Sequence, residues 1–292
     1  MSDLESTAIE RLRAASEMSL QYYQQPLVVT TSGGKDSAVC LALAERSGIP
    51  FEVLHNHTTV DAPETVYQIR KDFRRLELKG IKCTVEYPTY KGKRVSMWSL
   101  IPQKQIPPTR MVRYCCQIMK EGGGKNRFLA TGVRWAESTK RQSRGMYETM
   151  HSDKAKKVVL NNDNDDRRML FEACAPKAKR VCNPIIDWQD SDVWNYINAE
   201  NLDVNPLYDC GFSRVGCVGC PMATTAGRYK EFAKWPKFQD NYIRAFDHML
   251  DARRSKGLDT DWQNGVEVFN WWMENNIMPG QMEIDDDYEI ID

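Results

Sequence analysis

The fold of this chain is decided by the stretch LVVTTSGGKDSAVCLALA, residues 27–44. Residues 27–31 form a short β-branched run without polar alternation, which is typical of a parallel strand covered on both faces. A glycine turn follows at once and leads into the apolar helix pattern of residues 38–44. The stretch therefore predicts strand, loop and helix in immediate succession, which is the repeating unit of α/β sheets.

The loop between this strand and helix, residues 32–37, has the composition of an anion-binding loop. Gly33 and Gly34 let backbone N–H groups approach an anion without a Cβ in the way, and the flanking serine hydroxyls add donors. Lys35 adds a positive charge, and the start of the helix adds its dipole. The loop is not a Walker A motif, because Val29 stands where the first glycine would be. These residues predict a phosphate-binding loop of another type.

The alternation of strands and helices continues on both sides of the loop. A helix is predicted before it, in residues 1–25. After it the pattern predicts a strand at 51–55, a helix capped by Asp61 and ending near residue 78, and strands at 81–85 and 127–133. This order predicts an α/β fold with a doubly wound parallel sheet and right-handed crossovers, which is a Rossmann-like architecture.

The chain is further divided by its composition. Residues 26–221 are predicted to form the main domain, with a polar insertion at about 141–180 that we expect to lie partly outside the core. Asp190 is predicted to cap a helix within this domain. Residues 222–282 predict a helical C-terminal extension, and residues 283–292 predict a frayed acidic tail.

The overall composition excludes several classes of protein. Of the 292 residues, 41% are hydrophobic and 27% are charged, so the chain as a whole is not disordered, collagenous or a coiled coil. Neither a run of about eighteen apolar residues nor a leader pattern is found, so we expect a soluble cytoplasmic protein without a membrane segment. Residues 1–282 carry 40 basic against 34 acidic residues. This excess fits a phosphate-bearing substrate or a nucleic acid.

Nine cysteines in a chain without a secretion signal favour metal binding or catalysis over disulfides. Cys115 and Cys116 are adjacent, and Cys217 and Cys220 form a C-x-x-C pair. Thiolates are soft ligands that suit an iron–sulfur cluster or zinc. Adjacent side chains diverge, which suits the separate corners of a cluster better than one tetrahedral ion. A four-cysteine zinc site remains open, and Cys210 lies near enough in sequence to replace one of the adjacent pair.

The loop 32–37 resembles the PP-loop of the ATP pyrophosphatase superfamily, whose members split ATP between the α and β phosphates. Further blocks narrow the resemblance, in the order DAPET at 61–65, CCQIMK at 115–120, TGVRWAES at 131–138, DW and DVW within 187–194, and GCVGCP at 216–221. Together they resemble the phosphoadenosine phosphosulfate (PAPS) reductase family. The resemblance implies an adenine nucleotide alpha-hydrolase-like fold with ATP or another adenine nucleotide as ligand.

The same resemblance implies roles for individual residues. Arg134, Ser138 and Arg141 would face the phosphates or sulfate of the substrate, and Glu64 and Lys120 would border the pocket. The predicted catalytic side chains are Lys35, Asp36 and Arg134. The predicted nucleotide-binding set is Ser32, Gly33, Gly34, Lys35, Asp36, Ser37, Glu64, Lys120, Ser138 and Arg141. As in iron–sulfur members of the family such as adenylylsulfate reductases, a 4Fe-4S cluster would be held by Cys115, Cys116, Cys217 and Cys220.

Two departures from the reductase pattern favour the use of ATP. Reduction of a sulfonucleotide in this family looks to depend on a thiol nucleophile in a C-terminal tail, and no cysteine follows Cys220 here. Sulfonucleotide reductases carry an eroded PP-loop, whereas Lys35 and Asp36 are retained. These features predict an ATP-pyrophosphatase-type sulfurtransferase, similar to the subunit that works in bacterial DNA phosphorothioation and more distantly to tRNA thiolases.

In this hypothesis Mg-ATP activates an acceptor by adenylation, and a cysteine desulfurase partner supplies the sulfur. The acceptor would be of phosphate or nucleic-acid type, either DNA or tRNA, and Cys210 or Cys182 would carry a persulfide. One alternative is a PAPS or adenylylsulfate reductase that uses Cys210 or a partner's thiol. Another is a non-catalytic nucleotide- or nucleic-acid-binding component of a defence or mobile-element complex. The histidines predict no metal site, and His55 and His57 are interpreted as a polar pocket wall.

Overall fold

The computed structural model describes residues 2–137, 141–150, 158–160, 179–258 and 260–274. The chain forms two compact units. The first, here called the α/β unit, comprises residues 1–89 and 118–216. The second, here called the helical unit, comprises residues 90–117 and 217–292.

Nine strands are present in the described residues. Their bounds are β1 Leu27–Thr30, β2 Phe51–Asn56, β3 Cys83–Glu86, β4 Thr89–Tyr90, β5 Lys93–Arg94, β6 Phe128–Ala130, β7 Tyr147–Met150, β8 Val158–Leu160 and β9 Lys179–Cys182. Seven of them form one sheet in the order β3-β2-β1-β6-β9-β7-β8, and β4 pairs with β5. The first five strands of the sheet run parallel, and β7 and β8 add an antiparallel edge.

Eight α-helices are present in the described residues. Their bounds are α1 Ser2–Tyr23, α2 Lys35–Ser47, α3 Pro63–Glu77, α4 Met97–Lys104, α5 Asp190–Ala199, α6 Thr225–Lys234, α7 Pro236–Arg254 and α8 Gly265–Glu274. Helices α1, α2, α3 and α5 belong to the α/β unit and share one hydrophobic core with alternate residues of the strands, such as Leu27 and Val29. Successive strand residues point to opposite faces, so Val28 joins a second cluster with Leu54 and Leu129.

The strand order places a topological switch point beside β1. From β1 the chain continues to β2 and then β3 on one side, and β6 later pairs with the opposite side of β1. The connections therefore diverge at the carboxyl ends of β1 and β6, where open α/β sheets bind their ligands. Residues 31–37 and 131–137 both lie at this edge.

The predicted fold class is confirmed by this mostly parallel sheet with its flanking helices. The N-terminal helix and the helices after residue 222 are also present as predicted. Nothing in the sequence indicated that residues 90–117 leave the α/β unit, or that the change of unit falls at 216/217. Residues 275–292, which include the predicted acidic tail, lie outside the described residues.

Within the predicted polar insertion, Met146 and Tyr147 belong to the core, because they are buried and β7 pairs with β9. Residues 151–157 and 161–178 of that insertion lie outside the described part of the chain. Asp61 and Asp190 are not helix caps, since Ala62 and Gln189 occupy the N-cap positions. Asp190 instead pairs with the distant Lys35 and Arg134, whereas Asp61 contacts Thr58 and the histidines just before it.

Candidate functional site

The loop after β1 is held in shape by its own neighbours. Gly33 has a φ of 74°, in the left-handed region that favours glycine. A Cβ at this position would lie 2.7 Å from Thr65 Cγ2, so a larger residue does not fit. Asn205 Nδ2 donates to the Gly33 carbonyl at 3.2 Å and to Thr65 Oγ1 at 3.0 Å. Ser37 Oγ donates to the Gly34 carbonyl at 2.8 Å. The loop is therefore built before any ligand arrives.

The start of α2 presents backbone donors at this loop. Its N-cap residue, Gly34, has no side chain to cap the first turn. The Lys35 amide donates to Tyr208 Oη at 2.9 Å. For the amides of Asp36 and Ser37 the described residues supply no acceptor. Burial raises the pKa of Tyr208 to about 12, so its hydroxyl stays neutral. The helix N-terminus thus offers N–H groups and its dipole to an anion.

A network of four charged side chains borders the loop. Lys35 Nζ lies 2.7 Å from Asp190 Oδ1 and 3.3 Å from Asp36 Oδ2. Arg134 Nε lies 2.6 Å from Asp36 Oδ1, and its Nη2 lies 2.9 Å from Asp190 Oδ1. Its Nη1 donates to the Trp188 carbonyl at 3.2 Å. All three guanidinium nitrogens are engaged, so Arg134 holds the two carboxylates in place.

Burial within this network is uneven. The Arg134 side chain is 2% exposed and that of Lys35 is 8% exposed, whereas Asp190 is 63% exposed. The hydrogen bond from Lys35 holds the pKa of Asp190 below its ordinary value. Asp190 is therefore the member of the network that solvent or a ligand can reach.

Arg134 reaches the loop because the segment after β6 runs close to it. A Cβ at Gly132 would lie 2.8 Å from the carbonyl carbon and oxygen of Asp36. Since these are backbone atoms, the contact leaves room only for glycine. Gly132 therefore allows the β6 segment to approach α2 and places Arg134 against Asp36.

A cluster of arginines continues from this segment. Burial lowers the pKa of Arg141, and the charges of Arg214 and Arg144 lower it further. Arg141 also pairs with Glu137, and Arg144 Nε lies 2.5 Å from Glu148 Oε1. Arg141 and Arg144 are thus each paired with a glutamate, whereas Arg214 is exposed.

The remaining residues of the predicted nucleotide set have different surroundings. Ser138 lies outside the described residues. Glu64 is half-buried in the first turn of α3. Lys120 is exposed, and its carbonyl accepts from Asn56 Nδ2 at 3.1 Å, which places it at the end of β2. Ser32 is exposed, and its amide donates to Ser37 Oγ at 3.3 Å.

The histidines at the end of β2 are not merely a pocket wall. His55 Nε2 lies 3.9 Å, and His57 Nδ1 3.3 Å, from the same oxygen of Asp61. Burial lowers the pKa of His55. Burial alone would raise the pKa of Asp61, but hydrogen bonds from His57 and Thr58 outweigh it and hold this pKa below its ordinary value. The sequence-based interpretation missed this grouping.

The predicted cysteine ligands are neighbours within the helical unit. The pKa of the Cys115 thiol is raised, first by its hydrogen bond with Cys116, then by burial and by the nearby Cys217 and Cys220. The C-x-x-C segment forms a turn in which the Cys220 amide donates to the Cys217 carbonyl at 3.3 Å. Gly219 within the turn has a φ of 71°. Two segments that are distant in sequence thus bring four thiols together.

Buried cationic and aromatic groups surround these thiols. Arg228 is 1% exposed and lies 3.9 Å from the centre of the Trp272 ring. Its Nε and Nη2 are buried, and they find no hydrogen-bond partner among the described residues. Burial lowers its pKa to about 10, while the charge of Cys220 acts in the opposite direction. Arg113 Nη2 donates to Cys116 Sγ at 3.5 Å. Thiolates, or the anionic group they bind, would complement these donors.

The two other cysteines singled out by the sequence differ from each other. Cys182 is fully buried in the core of the α/β unit, and its Sγ donates to the Arg11 carbonyl at 3.8 Å. A persulfide there has no route to a substrate. Cys210 is exposed in the loop after α5. The prediction of a persulfide carrier is therefore restricted to Cys210.

Known proteins contain the same set of motifs. Residues 26–223 match the family model of the phosphoadenosine phosphosulfate reductase domain. The chain belongs to this family. The match covers the loop, the Arg134 segment, Asp190 and all four clustered cysteines.

Individual relatives differ in how much of their length is shared. An uncharacterized protein of Methanocaldococcus jannaschii is 28% identical over 237 residues, covering 79% of this chain and 48% of the relative. An adenosine 5'-phosphosulfate reductase of Allochromatium vinosum is 24% identical over 227 residues, covering 77% of this chain and 80% of the relative. The chain spans about half the length of the Methanocaldococcus jannaschii relatives it matches.

Among solved structures, the phosphate complex of a PAPS reductase from Candida auris is similar with a TM-score of 0.45 and 18% identity. The match covers 72% of this chain and 88% of that chain. Within the described residues, none of the helices combines the length and apolar character needed to span a membrane.

Proposed function

We propose that this chain is an ATP-pyrophosphatase-type sulfurtransferase of the PAPS reductase family. The observation that carries the proposal is the charged network around the loop. Lys35, Asp36, Arg134 and Asp190 meet at the N-terminus of α2, beside backbone amides for which the described part of the chain supplies no acceptor. A loop that only bound a sulfonucleotide would have no need of two carboxylates next to its anion site.

The carboxylates are explained by a divalent cation that accompanies a triphosphate. Asp36 and Asp190 supply the hard oxygen ligands that Mg²⁺ prefers, together with phosphate oxygens and water. Asp190 is mostly exposed and pairs with Lys35. On binding Mg-ATP, Lys35 would exchange this partner for a phosphate, and Asp190 would turn to the metal.

The reaction then follows from where charge develops. An oxygen of the acceptor attacks the α-phosphorus, the bond to the β-phosphate oxygen breaks, and pyrophosphate leaves. Lys35, the free amides of Asp36 and Ser37, and Mg²⁺ stabilise the charge that accumulates on the leaving group. A sulfur nucleophile at the oxidation state of hydrosulfide then attacks the adenylated acceptor and displaces AMP. The acceptor thereby gains a sulfur atom and loses the oxygen atom that leaves with AMP. A persulfide donor would additionally need a thiol to release its sulfur.

Arginines near the loop are suited to bind a polyanionic acceptor in this reaction. Arg141, Arg144 and Arg214 form a cationic group next to the network, and residues 1–282 have an excess of positive charge. These features support an acceptor of phosphate or nucleic-acid type, either DNA or tRNA, with a cysteine desulfurase as the sulfur donor. Cys210 is the exposed thiol available to carry sulfur within the chain.

A 4Fe-4S cluster fits the donor set of the helical unit. Four thiols, two buried arginine nitrogens without partners and a surrounding aromatic wall suit an anionic group. One zinc ion with Zn–S bonds of about 2.3 Å would need sulfurs about 3.8 Å apart. Among the described residues, the cysteines do not form a group that tight. Cys115, Cys116, Cys217 and Cys220 would hold the cluster, which would supply electron transfer. With a cysteine on each iron, the cluster would have no open iron to bind sulfur, so the sulfur would be carried elsewhere.

A second candidate function is sulfonucleotide reduction, and the Allochromatium vinosum relative favours it. That relative is named an adenosine 5'-phosphosulfate reductase, and its alignment covers 77% of this chain. In such a reaction the arginine cluster would bind the sulfonucleotide, and a thiol would attack its sulfur. Cys210 or a partner's cysteine would have to supply this thiol.

The test is an assay of the full chain, purified without oxygen and checked for iron and acid-labile sulfide. Pyrophosphate release from Mg-ATP is measured with DNA and with tRNA, and sulfite release is measured from adenylylsulfate and PAPS with a dithiol donor. We expect acceptor-dependent pyrophosphate release that falls at least about 100-fold in Lys35→Ala. Lys237→Ala, which removes an exposed lysine on α7, is the matched control.

Each outcome points to one function. Sulfite release without pyrophosphate would establish the reductase. Salt-dependent nucleic-acid binding that survives Lys35→Ala, with neither product formed, would establish a non-catalytic binding component. Either result would overturn the sulfurtransferase proposal.

A further inference from the structure

A second group of potential ligands lies in the α/β unit at the carboxyl end of β2, and the proposed reaction makes no use of it. His55 belongs to β2, His57 follows the strand directly, and Asp61 lies in the turn before α3. One ligand atom from each lies within 4.8 Å of the others. Across the described ranges, this is the one group of three or more His, Cys, Asp or Glu side chains with such a geometry.

The hydrogen bond of His55 determines which of its nitrogens faces the group. Its Nδ1 lies 3.0 Å from the Thr31 carbonyl oxygen, which can only accept, so Nδ1 carries the proton. In the neutral ring Nε2 is then the unprotonated nitrogen, and it faces Asp61 Oδ2 at 3.9 Å. A lone pair that faces a carboxylate oxygen is repulsive unless a cation lies between them. This pattern, with the far ring nitrogen bonded to a carbonyl, is typical of metal-binding histidines.

The carboxylate is oriented in a comparable way. The Thr58 amide donates to Asp61 Oδ2 at 2.9 Å, and the Thr58 hydroxyl donates to Oδ1 at 2.7 Å. His57 Nδ1 approaches the same Oδ2 at 3.3 Å. The ring of His57 also packs edge-on against Tyr87, with 5.3 Å between the ring centres. Each of the three side chains is therefore fixed by a neighbour that is not itself a ligand.

An ion pair between His57 and Asp61 explains only part of this arrangement. It accounts for the 3.3 Å contact but gives no role to His55 Nε2, which lies 3.9 Å from the same oxygen. Around one zinc ion with bonds of about 2.0–2.1 Å, tetrahedral ligand atoms are about 3.3 Å apart. The observed separations reach these values with side-chain shifts of about 1 Å or less.

We propose that His55, His57 and Asp61 bind one divalent transition-metal ion of the zinc class. Two imidazoles and one carboxylate suit zinc or iron(II), and three protein ligands leave further positions open. The site opens on the side of His57, whose side chain is 26% exposed, while His55 and Asp61 are buried. The open positions would take water or an anionic oxygen of a substrate. This inference does not depend on the proposed function.

The experiment uses the untagged full chain, freed of metal with a chelator and titrated with Co²⁺ as a spectroscopic substitute for zinc. Cobalt bound to nitrogen and oxygen ligands gives ligand-field bands without the thiolate-to-cobalt charge transfer that binding to the cysteines would add. We expect one such site in the wild-type chain. His57→Ala and Asp61→Asn should weaken its affinity about 100-fold, and Thr58→Ala about 10-fold.

The control variant is His248→Ala, which removes an exposed histidine on α7 and should leave the affinity unchanged. Thermal unfolding gives an independent readout, because zinc should raise the melting temperature of the wild type and of His248→Ala more than that of Asp61→Asn, in which the cysteines alone would bind it. If folded wild-type protein shows no band of the nitrogen and oxygen type, the proposal is overturned. Equal cobalt affinity in wild type, His57→Ala and Asp61→Asn would overturn it as well.

Discussion

The loop of the α/β unit and the cysteine group of the helical unit differ in what holds them together. The loop is contiguous in sequence. The charges at the loop already balance one another, because Lys35 and Arg134 pair with Asp36 and Asp190. The cysteine group joins segments about a hundred residues apart and leaves Arg228 donors unpaired among the described residues. The charged side chains of the loop are paired without a ligand, whereas a bound group would satisfy the buried donors of the cysteine group.

The largest effect is therefore expected in the cysteine group. Cys217→Ser replaces a soft ligand with a hard one, so bound iron should fall on the order of tenfold or more, together with the stability that the bound group supplies. Iron analysis and thermal unfolding under anaerobic conditions measure both. Cys83→Ser, which changes a half-buried cysteine of the α/β unit, should retain its iron. If Cys217→Ser also keeps its iron, the cysteine group does not hold it, and the contrast between the cysteine group and the loop is wrong.

The next effect concerns the centre of the loop network. Arg134→Ala removes one of the two cations that Asp36 and Asp190 share and leaves them with Lys35, and it creates a buried cavity. We expect the free energy of unfolding to fall by about 2–3 kcal/mol, below the full value for a buried pair because Asp190 is mostly exposed. Chemical denaturation measures this change, and Arg70→Ala at an exposed position of α3 is the control. An effect no larger than that of the control would show that the network does not support the loop.

A smaller effect is expected where the β6 segment approaches α2. Gly132→Ala places a Cβ 2.8 Å from backbone atoms of Asp36, so the two segments must separate. The expected loss is about 1–3 kcal/mol of unfolding free energy, with weaker nucleotide binding. Gly216→Ala is the control, because a Cβ there would meet only Arg214 Nε at 3.9 Å. Equal stability of the two variants would contradict the close approach.

The smallest effect is a dependence of stability on pH. Lys35 lowers the pKa of Asp190, so the folded state binds this proton less readily than the unfolded state. The contribution is therefore present above the ordinary aspartate pKa of about 3.9 and is lost as the pH falls through the folded value. Because Asp190 is 63% exposed, we expect about 0.5 kcal/mol.

Unfolding free energies of wild type and Asp190→Asn between about pH 3 and pH 7 measure this contribution. The two curves should differ at neutral pH and converge at low pH. Asp251→Asn, a similarly exposed aspartate that lies 3.5 Å from Arg254, is the control. A difference that grows as the pH falls would reverse the predicted sign.

The sequence predicted the candidate site unevenly. Lys35 and Asp36 were identified because the loop is local, and Arg134 because its block resembles one of the PAPS reductase family. Asp190 was interpreted as a helix cap, since its contact with Lys35 spans more than 150 residues of sequence. Nothing in the sequence signalled that the Tyr208 hydroxyl meets the Lys35 amide. Contacts of this kind depend on packing and leave no local pattern.

The histidine group shows a signal that was present but not used. His55 and His57 are two residues apart at a strand end, which places both side chains on one side. Their common partner, Asp61, was predicted to cap α3, and its actual partners depend on how the turn folds back. Spacing alone therefore indicated two of the three ligand positions.

The antiparallel edge of the sheet shows the same difference between what local sequence indicates and what packing determines. Tyr147 was assigned to a polar insertion because charged residues surround it, yet β7 pairs with β9 and buries it. Similarly, residues 90–117 join the helical unit although they lie between strands of the sheet. Composition averages over a window, whereas burial is decided residue by residue by the partner strand or helix.

By itself, the sequence determined the alternation of the parallel strands and helices around the loop, the phosphate-type loop and the pairing of cysteines into two motifs, because these depend on periodicity and on residues close in the chain. Only the tertiary structure decided that Arg134 and Asp190 balance the loop, that Arg228 lies buried near the thiols, and that Asp61 joins two histidines. The physical reason is that charge pairing and burial are set by distances in space, which the chain fixes only when it is packed.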